Sequence, residues 1–134
     1  MGLENGVVIK AKEDFKWQSG LVSWTDGLEI PKGKSLEVCY WRRAFGIRDK
    51  IMESMMIEKE NHKDIVVGLN SYKLRNIVWE LSKFIDEEYY NYNANSGWSY
   101  SVFVNTLWEQ ICILVYVESL VNAGLVEVEF YEKW

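Results

Sequence analysis

The sequence predicts an α+β fold: three helices packed on a small antiparallel sheet formed by N-terminal strands and the C-terminal strand. Apolar residues alternate with polar ones near both ends, in "VVIKAK" (Val7–Lys12) and "VEVEFY" (Val126–Tyr131), and between them recur at helical spacing. Alternation marks a half-buried strand, and a 3.6-residue period marks an amphipathic helix. Size agrees with this. The chain has 134 residues, 49% of them hydrophobic and 26% charged, which suits one domain over residues 1–134 with its own core.

Each element has a local reason. Val7–Lys12 is short and β-branched, hence a strand. In "LVSWTDGLEI" (Leu21–Ile30), Asp26-Gly27 stands between apolar flanks and predicts a hairpin with a two-residue turn. A first helix is expected over 36–58, with Tyr40, Ala44, Ile47, Ile51 and Met55 as its stripe, Met52 and Met56 beside them as core, and Arg42, Arg43 and Asp49 on the polar side. The segment "EKENHKD" then reads as a polar connection. A second helix over 70–90 starts at the capping residues Asn70 or Ser71 and carries Leu74, Ile77, Leu81 and Phe84. It should end in an aromatic loop with Tyr89, Tyr90, Tyr92 and Trp98. The third helix, 99–123, has a wide apolar face and stops at Gly124. Strand 126–131 should return to pair with the first strand.

Composition excludes several functions. A net charge of -5 argues against broad nucleic-acid binding, which needs a basic face. It leaves room for a basic protein partner or for a local cationic pocket. The longest strongly apolar run, Ile111–Val117, is too short to span a bilayer, and the start lacks a signal-peptide pattern. These features predict a protein of the cytoplasm with no membrane partner. Cys39 and Cys112 sit in apolar surroundings and are expected to be buried free thiols. His62 is the only histidine, in a charged loop, so no metal site is expected. Neither a phosphate loop nor a nucleophile motif occurs, so no catalytic residue and no cofactor is assigned. Seven tryptophans exceed what a small core absorbs, which points to a pocket, a protein interface or a homo-oligomer.

One segment concentrates candidate binding chemistry. "YWRRAFGI" (Tyr40–Ile47) places Tyr40, Trp41, Arg42 and Arg43 side by side, with Arg48 following. An indole and several guanidinium forks can stack a base and hold phosphate. The structural alternative is that Trp41 is core and the arginines pair with Glu37 and Asp49.

The same segment resembles a family of small proteins encoded mainly by bacteriophages and prophages. They open with MGLD, carry a helix that begins YWRKAN, and close on a tryptophan. "MGLE" (Met1–Glu4), the matches at Tyr40, Trp41, Arg42, Ala44 and Ile47, and "VEVEFYEKW" (Val126–Trp134) follow that order. The family's asparagine and histidine correspond here to Phe45 and Arg48, and its Trp-Phe pair to Lys50 and Ile51. The resemblance implies a non-enzymatic phage accessory protein acting in the host cytosol. One implied role is sequestering a nucleotide-like immune signal, with Tyr40, Trp41, Arg42, Arg43, Arg48, Trp98 and Trp134 binding the anion. The other is an acidic inhibitor of a host defence protein, or an assembly factor.

Overall fold

Asn5, Val7, Ile9 and Ala11 turn to one side and Lys10 to the other, so the first apolar run is a one-faced strand, β1 (Glu4–Ala11). The computed structural model describes residues 2–21, 26–92 and 97–134, with side chains described outside 88–104. In chain order, β2 (Phe15–Lys16), β3 (Glu29–Ile30), β4 (Ser35–Arg42), α1 (Phe45–Ser54), β5 (Ile65–Leu69), α2 (Ser71–Tyr92), α3 (Gly97–Asn122) and β6 (Val126–Lys133) follow. The main sheet is antiparallel throughout, in the order β4-β1-β6-β5. The last strand does return to the first, with Val7 opposite Phe130 and Ile9 opposite Val128. The α+β class predicted by the sequence is the class observed.

The expected helix over 36–58 is corrected. Its first third is the edge strand β4, and only Phe45–Ser54 is helical. A register shift opposite Val7 and Val8 explains the misreading. A bulge inserts one residue into the pleat, so the alternation slips phase and imitates helical spacing. Two further differences concern strands. β5, a five-residue edge strand, lies in a stretch where no strand was expected. The two-residue hairpin expected within Leu21–Ile30 is corrected: β2 pairs with β3, Phe15 opposite Ile30, and Asp26-Gly27 is a turn inside the longer connection between them, of which residues 22–25 lie outside the described ones. Gly27, at φ 86°, donates its N–H to the Trp17 carbonyl at 2.7 Å.

Leu74, Ile77 and Leu81 of α2 and Leu107, Ile111, Leu114 and Val117 of α3 face the sheet's buried side, with Ile47, Ile51 and Met52 of α1 packed beside them. Each such side chain contributes roughly 1.5–3 kcal/mol on burial. Helix α2 is capped as expected, since Asn70 Oδ1 accepts the Lys73 N–H at 2.8 Å.

Two helix ends use the same stop with different residues. After α3, Gly124 (φ 75°) donates to the Val121 carbonyl and Leu125 to the Leu120 carbonyl, both at 3.0 Å. After α1, Met56 (φ 59°) donates to Glu53 at 3.1 Å and Ile57 to Met52 at 3.0 Å. Both are Schellman stops, which place a left-handed residue just past the helix. Glycine adopts that conformation freely, whereas a residue with a Cβ is strained there. The expected core position of Met56 is also corrected, because its side chain is 94% exposed. Little packing opposes its removal. Met56→Gly should therefore raise stability by about 1 kcal/mol. It should appear as a higher urea midpoint with an unchanged slope.

Candidate functional site

Arg48 leaves α1 and passes beneath the end of β6, where Glu132 points inward by the strand's alternation. Both are buried, at 2% and 0% exposure. The guanidinium Nε donates to Glu132 Oε1 at 2.8 Å and Nη2 to Oε2 at 3.1 Å, a bidentate pair. The remaining donors reach the carbonyls of Lys59 and, at 2.8 Å, Asn61. Desolvation works against the Arg48 cation, and the hydrogen bonds and charge of Glu132 more than offset it, so its pKa is raised. Trp134 lies over this pair. Its indole N–H donates to Glu132 Oε2 at 3.1 Å, and the Arg48 guanidinium sits 5.2 Å from the ring centroid. His62 stacks on the ring at 4.2 Å and Asp64 accepts the Trp134 backbone N–H at 2.9 Å.

Trp41 reaches the same end of the sheet by a different route. Cross-strand register aligns it with Asn5 and Asn5 with Glu132. Two strand spacings, about 10 Å, therefore separate Trp41 from Glu132. Trp41 is buried and its indole N–H donates to Gln110 Oε1 of α3 at 2.8 Å. Between them the Asn5 amide is fully buried, and neither of its polar atoms has a hydrogen-bond partner among the described residues.

The pleat puts Tyr40 and Arg42 on the opposite face. Next to Tyr40 on this outer face, Gly6 supports the Tyr131 ring, and Tyr131 Oη donates to Glu37 Oε2 at 2.5 Å. Burial and Glu37 push the Tyr131 hydroxyl pKa upward. Arg42 and Arg43 are exposed and make no ion pair among the described residues. Arg43, at φ 54°, turns the chain out of the strand.

The candidates therefore separate. Arg48 and Trp134 meet in one buried network and Trp41 anchors the neighbouring row. Tyr40, Arg42 and Arg43 remain accessible on the outer face. The side chain of Trp98 lies outside the described residues, as do those of Tyr89, Tyr90 and Tyr92. The backbone places Tyr89, Tyr90 and Tyr92 in the last turns of α2 and Trp98 in the first turn of α3, not in a loop.

A second surface escaped sequence reasoning. α3 is apolar all round over its middle two turns, Ile111–Val117, yet Val115 there is 52% exposed and Trp108, one turn before, is 45% exposed. A helix of that composition is normally covered on every side. Neighbouring α2 exposes Tyr72 and Trp79, the latter by 65%. The sequence signal was present in the apolar run Ile111–Val117 of α3, but which side lay bare depends on the packing.

Among the described residues no group of acidic, histidine or cysteine side chains is arranged to hold a metal, and no helix is long and apolar enough to cross a membrane. No protein-family model, curated protein or solved structure matches the chain.

Two predictions follow from this geometry. Arg48→Ala leaves Glu132 buried without its cation and should cost about 3–5 kcal/mol in chemical denaturation, whereas Arg48→Met combined with Glu132→Leu should recover most of that loss. The two thiols should also differ in reactivity. Cys39 is buried and its pKa is pushed up by desolvation and by Glu37, while Cys112 is exposed, which corrects the expectation that both are buried. A thiol reagent should label Cys112 in the native protein, and Cys39 only after denaturation.

Proposed function

We propose that this chain is a non-enzymatic accessory protein that acts by binding another protein through the outer face of the α2–α3 hairpin. The observation that carries the reading is the exposure of Trp79 and Trp108, 65% and 45%, on two packed neighbouring helices. Tryptophan is enriched at the centres of protein interfaces, where it supplies a large apolar area and one polar handle. The net charge of -5 fits a partner that is basic where it makes contact. The resemblance to small phage proteins supplies the setting, a factor that inhibits a host defence protein or assists assembly.

A second reading keeps its own support. Arg42 and Arg43 are exposed and have no acidic partner among the described residues, and Tyr40 stands beside them. Two free guanidinium groups next to an aromatic ring suit an anionic, nucleotide-like ligand. Arg48, Trp41 and Trp134 would support that corner from inside rather than touch the ligand.

One comparison separates the two. Capture from infected host lysate should yield a stoichiometric protein with wild type and with Arg42→Ala plus Arg43→Ala, and lose it with Trp79→Ala plus Trp108→Ala. All four positions are exposed, so denaturation midpoints should move by no more than about 0.5 kcal/mol per site. Heat on titration with mono- or cyclic nucleotides, abolished by the arginine variant, would instead favour the second reading.

A further inference from the structure

We infer that the partner presents a basic amphipathic helix, which lies along the groove between α2 and α3. This rests on the protein-binding reading above and specifies what that face receives.

The Arg75–Glu118 ion pair, 2.6 Å long, sets the register of the two helices. Trp79 lies one turn further along α2. Val115 lies one turn back along α3, so the antiparallel arrangement brings Trp79 and Val115 alongside each other. Trp108 stands two turns beyond Val115, about 10 Å away along the axis. The apolar stripe thus runs along the groove for about two turns. That length matches the anchors of a bound helix, which recur at i, i+3 or i+4, and i+7. Two packed helices also offer a third one a ready groove at the usual interaxial spacing of about 8–10 Å.

Charge decides the sign of the partner. The cations bordering the stripe are already engaged: Arg75 by Glu118, Lys83 by Glu80 at 3.3 Å, and Lys73 by the Gly68 carbonyl at 3.3 Å. Asp86 and Glu109 are exposed and have no cation among the described residues. By the same register both fall near Trp108. The free charge at that end of the stripe is therefore negative, and a helix flanked by lysine or arginine complements it. A second copy of the chain fits less well. It would bring the same uncompensated Asp86 and Glu109 and a net charge of -5 to both sides of the contact.

The test uses two synthetic peptides of about 18 residues, or five turns, with the same leucine face. One carries lysine and arginine at its polar positions and the other carries glutamate. The cationic peptide should bind in calorimetry and shift the indole N–H resonances of Trp79 and Trp108, assigned by their loss in the single tryptophan variants. Asp86→Lys with Glu109→Lys should weaken it by about tenfold or more, and the glutamate peptide should bind at least that much less tightly. Equal binding of both peptides at the tryptophans would overturn the basic partner while leaving the protein-binding face standing. Binding of the cationic peptide that survives Trp79→Ala plus Trp108→Ala would overturn the groove. No binding of either peptide would overturn the inference. So would sedimentation of the wild type as a dimer that those two substitutions dissociate.

Discussion

The buried pair Arg48–Glu132 is the interaction on which this end of the molecule depends. It joins α1 to the last strand across 84 positions of sequence. A charge pair removed from water loses its hydration, and only close geometry with further hydrogen bonds makes up the difference. Those further bonds come from carbonyls of the 58–64 connection and from the Trp134 indole. The connection is therefore held in place by a helix residue rather than by regular structure of its own. Trp134 closes the network from outside, with His62 stacked against it. Arg48 and Trp134, two of the residues expected to hold an anion, thus hold α1, the connection and β6 in one arrangement.

The pleat of β4 accounts for the division of labour within "YWRR". Consecutive strand residues point to opposite faces, so an aromatic and a cation that are adjacent in sequence cannot serve the same surface. Trp41 goes into the core and bonds to α3, while Tyr40 and Arg42 face out. A helix would have spread the same four residues around a cylinder. The question of scaffold or site therefore has a different answer for each of them.

Much of the fold was legible in the sequence, for identifiable reasons. α2 and α3 are long, with stripes unbroken over several turns, and β6 alternates strictly. Asn70 and Gly124 punctuate them as their side chains dictate. β4 was hidden because its bulge slips the alternation, and β5 because "IVVGL" is short and apolar on both faces. The site was less legible. Glu132 looks like any solvent-facing glutamate in "VEVEFYEK" until the period places it inward beneath Arg48. Trp79 stands off the apolar stripe of α2, so the period alone turns it away from the core, whereas Trp108 lies next to the buried Leu107 at the start of a wide apolar face and only the packing leaves it bare.

The arrangement of strands has a consequence for how the molecule lasts once formed. β1 pairs with β6 along its whole length, from Glu4 with Lys133 to Ala11 with Val126, so the central ladder is made of contacts between distant parts of the chain. Closing such long loops is entropically slow, and contacts of this kind tend to complete late on the folding path. Interactions that form after the barrier govern the rate of escape from the native state, not the rate of reaching it. The Arg48–Glu132 clasp closes over the end of that ladder. Placed there, an interaction completed after the barrier would act on the lifetime of the folded protein more than on its rate of formation.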